Sequence, residues 1–285
     1  MHLLTWNIQW CRGTDGRVDA ARIASEIHRL GDFDVICLQE VADNFAHPRL
    51  EGAPADDQFA QFAALFPGYA VIPGCAVDHP GDAPHTRRRR FGNAILSRLP
   101  VGQVFRQTLP RPLDPGISSM PRCALEAVID TDFGGLRVIT THLEYFSAKQ
   151  RAAQVDALRA LYAEGHAYAA AAPASGDGSP FHSHRRPEAT LICGDFNMPA
   201  SDPSYARMTA PIDGGVPSLR DAWVAVHADL PQPPTFCVHK PYKAGMAAYA
   251  CDFVFVSAPL APRVREVSVD VDTQASDHQP VSIVL

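Results

Sequence analysis

The sequence predicts an α/β protein, and three observations carry that reading. Short apolar runs with the look of strands, such as Val35-Ile36-Cys37-Leu38, Leu191-Ile192-Cys193 and Phe253-Val254-Phe255-Val256, alternate with segments whose apolar residues recur at helical spacing. The chain has 285 residues, 46% of them hydrophobic, enough for a large layered core in one domain. Many of the strand-like runs also end abruptly in a polar side chain, which is where open α/β proteins keep their chemistry.

Each element follows from a local pattern. Residues 2–6 alternate weakly as a strand and give way to Asn7. From Arg17 the period is helical, with Ile23, Ile27 and Leu30 on one face and Gly31 as the stop. The buried-strand run 35–38 ends in Gln39-Glu40. Residues 43–56 read as loop, 57–65 as a short helix, 69–72 as a strand and 73–86, rich in Pro, Gly, His and Asp, as an exposed loop. Four arginines, 87–90, precede the run Phe91-Gly92-Asn93-Ala94-Ile95-Leu96-Ser97. A strand over 101–106 and a Pro-rich excursion over 110–121 follow. Residues 122–129 then pair with 136–141 through a turn at Gly134-Gly135, a hairpin that ends in His142.

Ser147 and Gln150 form a capping box for a helix that carries Val155, Leu158 and Tyr162 on one face and runs to about Glu164. The Ala/Gly/Ser/Pro/His stretch 165–187 has little to bury and predicts a flexible surface insertion. A strand over 189–194 comes next, with helices near 202–209 and 218–227 and a Pro-containing loop over 229–248 that carries Lys240, Tyr242 and Lys243. Strands over 252–256 and 264–271 lead to Ser276-Asp277-His278-Gln279-Pro280 and a last strand over 281–285.

Composition excludes several classes. No apolar run approaches the roughly 18 residues of a membrane span. The first residues enter a strand at once, without a basic start and cleavage site, so the expectation is a soluble, cytoplasmic protein with no membrane insertion. Seven cysteines, odd in number and without paired spacing, read as reduced core residues. A net charge of −6 is unlike a protein that coats nucleic acid through bulk electrostatics, so a phosphate-rich substrate has to be held locally, by a metal or a few arginines. The arginine bias itself, with lysine only at Lys149, Lys240 and Lys243, reflects genome composition more than phosphate recognition.

The run that ends in Gly194-Asp195-Phe196-Asn197 sets two polar side chains at a strand terminus. Asp195 could orient or deprotonate a water, and Asn197, two residues on, could donate to a developing anion; both are also ordinary turn formers. The same design recurs at Asn7, Glu40, His142, Asp252, Asp277 and His278, far apart in sequence but all beside apolar strand runs. For His142 a structural hydrogen bond is the alternative to catalysis, and for the arginines 87–90 a solvated loop is the alternative to phosphate contact.

Taken together, Thr5-Trp6-Asn7-Ile8-Gln9, Leu38-Gln39-Glu40, Phe91-Gly92-Asn93-Ala94-Ile95-Leu96-Ser97, Thr141-His142-Leu143-Glu144, Gly194-Asp195-Phe196-Asn197, Asp252-Phe253-Val254-Phe255 and Ser276-Asp277-His278 resemble the endonuclease/exonuclease/phosphatase superfamily. The motifs stand in the family's order and span essentially the whole chain. The resemblance implies a four-layered αββα sandwich, two central β-sheets flanked by helices, and a metal-dependent phosphoesterase with its site at one rim. It assigns Glu40 as the main ligand of a divalent ion, assisted by Asn7 and Asp277. Carboxylate and amide oxygens suit Mg²⁺ or Mn²⁺, and no thiolate or HExxH pattern offers a zinc site.

The resemblance also implies that Asp195 positions and activates the attacking water and that Asn197 stabilises the charged transition state. Asp252 would orient His278, leaving the imidazole to contact phosphate or shuttle a proton. His142 matches a histidine that, in the deoxyribonuclease and sphingomyelinase branches, contacts phosphate or acts as general acid. Arg122 and Asn93 are the weaker carry-overs, as phosphate and cleft contacts. The implied substrate is a phosphoester, DNA or RNA on the strength of the arginines 87–90. The acidic net charge and the absence of aromatic clusters suited to stacking weigh against nucleic acid. A small-molecule or lipid phosphoesterase is the alternative, and an inert scaffold of the same fold the third reading, which the complete set of polar strand ends argues against. No protein partner is inferable.

Overall fold

The computed structural model of the chain describes residues 1–285 apart from 54, 84–85, 172–175, 177, 183 and 185. One sheet holds β1 (His2–Asn7), β2 (Val35–Asp43), β3 (Ala70–His79), β4 (Arg89–Ser97), β11 (Glu266–Val269) and β12 (Val281–Val284), in the order β11-β12-β1-β2-β4-β3. The other holds β5 (Val101–Thr108), β6 (Cys123–Thr131), β7 (Gly134–His142), β8 (Thr190–Asp195), β9 (Leu219–Asp221) and β10 (Asp252–Ser257), in the order β5-β6-β7-β8-β10-β9. Each sheet has one parallel pair near its middle, β1 with β2 and β7 with β8.

Alternation along the strands builds the layers. In β1, Leu3 joins a core between the two sheets, while Leu4 and Trp6 turn to the opposite face. In β8, Leu191 and Cys193 face the intersheet core and Ile192 turns away. Helices α1 (Ala20–Leu30) and α2 (Gln58–Leu65) cover the outer face of the first sheet with Ile23, Ile27, Phe59 and Phe62. Helices α3 (Ala148–Ala170) and α4 (Pro203–Thr209) cover the second with Val155, Leu158, Tyr162 and Met208. A short α5 (Ala222–His227) packs against β9, β10 and β11. The result is the αββα sandwich that the sequence resemblance implied. Among the described residues no helix is long and apolar enough to cross a membrane.

The helix starts are fixed by side chains. Asp19, Asp57 and Ser147 accept from the backbone N–H three residues on, at the N-termini of α1, α2 and α3. The box at α3 is only half made, because the Gln150 side chain instead donates to Pro112 O at 3.1 Å.

Several boundaries differ from the sequence reading. Strand β3 runs on to His79 through a segment expected to be loop; it is an edge strand, where Pro73 is tolerated. Helix α3 continues past Glu164 to Ala170, and Gly165 within it is a close-approach position. A side chain there would collide with the Arg137 guanidinium, which is fully buried. The expected insertion 165–187 therefore loses its first residues to the helix, and part of the remainder lies outside the described residues. Residues 219–221 are β9 rather than helix, since Asp221 caps α5 by accepting from Trp223 N and Val224 N. Strand β11 is shorter than the expected 264–271.

Candidate active site

The site forms where the intersheet stripes turn polar at one rim. Asn7 continues the face of Leu3, His142 that of Leu136 and Val138, Asp195 that of Leu191 and Cys193, and Asp252 that of Val254 and Val256. The register sets His142, Asp195 and Asp252 side by side on three neighbouring strands. Across the intersheet layer, Gln39 Nε2 donates to Thr5 Oγ1 at 3.1 Å in its own sheet and to Thr140 Oγ1 at 2.9 Å in the other, which ties the two rims together.

Glu40 reaches this rim by a different route. Strict alternation would send it outward with Ile36 and Leu38, towards the helices. Strand β2 does not stop there, as the sequence suggested, but is bulged between Leu38 and Val41, and Glu40 takes a left-handed φ of 62°. Its Oε1 then accepts from Asn7 Nδ2 at 3.2 Å.

Around Asp195 the distances are short. Its Oδ2 accepts from Asn7 Nδ2 at 3.0 Å and lies 3.4 Å from His142 Nε2 and 3.7 Å from His278 Nε2. Its Oδ1 accepts from the Asn197 backbone N–H at 2.8 Å, closing a turn in which Asn197 is left-handed with φ 51°. The Asn197 side chain donates to Leu143 O at 2.8 Å, so only its second amide hydrogen remains for a developing anion. His278 Nδ1 lies 2.9 Å from Asp252 Oδ2; since the carboxylate can only accept, Nδ1 carries the hydrogen and Nε2 faces Asp195. The Phe236 ring lies 4.6 Å from the His278 ring and holds it from behind.

Burial sets the electrostatics. It lifts the Glu40 carboxyl to about 7, with the charge of Asp277 adding to the effect, although a 17% exposed side chain keeps solvent in contact with it. Burial likewise lifts Asp195 to about 6, opposed by His278 and the Asn7 hydrogen bond. On its own, burial would depress the His278 imidazole, but Asp252, Asp195 and Asp277 together hold it well above its ordinary value. His142 is pushed well below its ordinary value by burial and by the cationic Arg122 and His278. The two histidines therefore differ in charge near neutrality, His278 cationic and His142 neutral.

Two groups could hold a cation. Glu40, Asn7 and Asp277 present oxygens, and Gln9 Nε2 holds Asp277 Oδ2 at 2.8 Å. Glu40 and Asp277 both keep partial exposure, and their mutual repulsion is what a cation would relieve. The buried set Asp195, Asp252, His278 and Cys251 is the second.

A cleft of about 800 Å³ opens beside Glu40 and Arg122. Arg122 is 5% exposed, pairs loosely with Glu144 at 3.4 Å and leaves its buried Nη1 without a protein partner, a donor available to an anion. Asn93 does not line this cleft; it is buried and donates to Cys123 O at 3.3 Å, tying β4 to β6. The four arginines 87–90 are engaged with carboxylates: Arg87 and Arg90 hold Asp43, Arg88 holds Asp78 and Arg89 holds Asp82. Aromatic side chains do gather here, contrary to the sequence expectation. Trp10, Phe45, Phe146 and Tyr242 line the cleft with Arg49 and Arg111, and Phe146 and Tyr242 are 54% and 52% exposed.

Sequence reasoning missed Gln9, Thr235, Phe236, Glu144 and Ser276 as supports of the site. Thr235 Oγ1 accepts from Asp252 N at 3.1 Å, and Ser276 Oγ donates to Asn7 O at 2.7 Å. Thr235 and Phe236 sit in a loop with no periodicity, so no local signal marks them. Glu144 lies inside the Thr141-His142-Leu143-Glu144 motif, but nothing local reveals its pairing with Arg122.

Residues 4–278 match the model of the Endonuclease/Exonuclease/phosphatase family. Among solved structures, an endonuclease/exonuclease/phosphatase from Beutenbergia cavernae DSM 12333 is 22% identical with a TM-score of 0.64, the match covering 99% of this chain and 70% of that one. The mannosyl-6-phosphatase of Bacteroides thetaiotaomicron VPI-5482 is 19% identical with a TM-score of 0.65, over 99% and 98%. TDP2 of D. rerio, complexed with a single strand DNA product, is 17% identical with a TM-score of 0.63, over 99% and 97%. No curated protein matches the chain.

Proposed function

The chain belongs to the endonuclease/exonuclease/phosphatase family, and from that premise we propose that it hydrolyses phosphodiester bonds, those of nucleic acid foremost, with Mg²⁺ or Mn²⁺ held by Glu40, Asn7 and Asp277. The observation that carries this reading is the position of Asp195 Oδ2, within 3.0 Å of Asn7 Nδ2, 3.4 Å of His142 Nε2 and 3.7 Å of His278 Nε2. A carboxylate so placed orients a water and takes its proton as attack begins. Cationic His278, its Nδ1 bound by Asp252, presents an Nε2 proton to the phosphate oxygens, and Arg122 Nη1 and the free Asn197 amide hydrogen add further donors. When bound, the divalent ion supplies charge neutralisation at those oxygens.

Nucleic acid is favoured by the cleft. Its volume of about 800 Å³ exceeds what one phosphate group needs, and exposed aromatic rings beside arginines are the surface on which unpaired bases stack. A small-molecule phosphomonoester is the second reading, supported by the fold shared with a mannosyl-6-phosphatase and by the net charge of −6. The seven unpaired thiols, six of them buried, fit a reducing compartment, and we place the protein in the cytoplasm.

Hydrolysis of bis(p-nitrophenyl) phosphate by wild type, Asp195→Asn and His278→Ala tests the reading. Turnover should require Mg²⁺ or Mn²⁺ and fall at least about 10²-fold in each variant. Near-normal turnover of Asp195→Asn would remove its role as base. Comparing kcat/KM on single-stranded DNA with that on sugar phosphates then chooses between the two substrate classes.

A further inference from the structure

Cys251 plays no part in the reaction described above, yet it sits against its centre. Its Sγ is 3.4 Å from Asp252 Oδ2 and 4.0 Å from His278 Nδ1. With Asp195, these residues offer one sulfur, one nitrogen and two carboxylate donors, all within 4.8 Å of one another. We propose that Cys251, Asp252, His278 and Asp195 form a second cation site, selective for soft divalent ions such as Zn²⁺ or Cd²⁺, and that filling it switches the enzyme off.

The geometry is close to what such an ion requires. Bonds of about 2.3 Å to sulfur and about 2.1 Å to nitrogen or oxygen place tetrahedral neighbours about 3.5 Å apart, so pairs as wide as 4.8 Å close by a little over ~1 Å while the 2.9 Å His278–Asp252 pair opens by about 0.5 Å. Asp252 is 1% exposed and its Oδ1 has no protein partner, which leaves a buried carboxylate oxygen free to turn onto an ion. The thiol sets the selectivity. Sulfur favours Zn²⁺ and Cd²⁺ over Mg²⁺, whereas Glu40, Asn7 and Asp277 offer oxygen alone. Two cation sites of opposite hardness thus lie side by side.

Inhibition follows from the ligands shared with the reaction. Binding at Nδ1 displaces the hydrogen shared with Asp252, and the Nδ1 and thiol protons leave to solvent. His278 then loses both its orientation by Asp252 and its positive charge, and Asp195 can no longer hold water. Excess Mg²⁺ should not restore activity, because it does not compete for sulfur.

The inhibition half of this proposal rests on the hydrolytic reading, but the binding half does not. Co²⁺, a spectroscopic stand-in for Zn²⁺, should give one equivalent of thiolate-to-metal charge-transfer absorption with the intact protein in excess Mg²⁺. That band should be missing in Cys251→Ser and Cys251→Ala, which keep the other six cysteines. Zn²⁺ should inhibit the wild type, and the midpoint should rise about tenfold or more in either variant while Mg²⁺-supported turnover without zinc stays within about twofold. An unchanged band in the variants overturns the site, whether or not any hydrolysis is found. A lost band with unchanged zinc inhibition overturns the switch.

Discussion

Glu40 shows how much one backbone angle decides. The left-handed φ of 62° that carries it to the rim costs on the order of 1–3 kcal/mol, and the bulge in β2 holds it there. The same placement buries its carboxyl enough to lift it to about 7 from 4.5. In the metal-free protein the folded state therefore binds more protons than the unfolded one between those two values, so this group's contribution to stability falls as pH rises through the window. For metal binding the sign is opposite. Above about 7 Glu40 is charged and available; below it a proton occupies the oxygen proposed to bind the metal. Affinity for Mg²⁺ or Mn²⁺ should drop by up to about tenfold for each pH unit below that value, with protons released on binding. Calorimetry in two buffers of different ionisation heat measures both. An affinity that stays flat from about pH 8 to about pH 6 would take Glu40 out of the ligand set.

At the scale of elements, the arginines 87–90 and the end of β8 make contrasting predictions. Arg87 Nε and Arg90 Nε bond the two oxygens of Asp43 at 2.8 and 2.7 Å, and the Asp43 side chain is fully buried. Their work is to neutralise the end of β2, so Arg87→Ala with Arg90→Ala should cost on the order of 3 kcal/mol in stability and leave KM for a small phosphodiester unchanged. A raised KM with unchanged Tm would return these arginines to the substrate. Gly194 is left-handed with φ 136°, and a methyl there would meet Thr141 O. Gly194→Ala should therefore destabilise by at least about 3 kcal/mol in a denaturant titration, whatever it does to Asp195.

Much of the fold and of the candidate rim is legible in the sequence, because apolar runs that end in polar residues mark both a strand and the polar edge it leads to. Asn7, His142, Asp195 and Asp252 could be named for that reason. The bulge at Glu40 could not, since Gln39-Glu40 reads as a strand terminus when the strand in fact resumes on the opposite phase. Nor could the partners of the arginine run, the helical continuation through Gly165 or the ring of Phe236 behind His278, each of which depends on a contact distant in sequence.

For the whole molecule the decisive feature is the order of strands. The chain lays down β1–β4 in one sheet, β5–β10 in the other, and returns with β11 and β12 to pair beside β1, Thr5 opposite Val281. Asp277 and His278 arrive on that return segment, so these two members of the candidate site come into place only once the last strand has docked. One core joins Leu3, Val35, Cys37, Ile95 and Ile283 of the first sheet to Leu125, Val138, Leu191 and Val254 of the second. Neither sheet can keep its inner face dry without the other, which supports residues 1–285 folding as one unit. The expected outcome is a single unfolding transition. With Trp10→Phe and Trp223→Phe, buried Trp6 becomes the sole tryptophan and reports the first sheet, while far-ultraviolet circular dichroism reports both. The two denaturant midpoints should coincide. A biphasic dichroism curve in which Trp6 follows only one phase would mean that the sheets unfold separately. The rim that joins Asn7 and Glu40 to Asp195 and His278 would then be the seam along which the protein first opens.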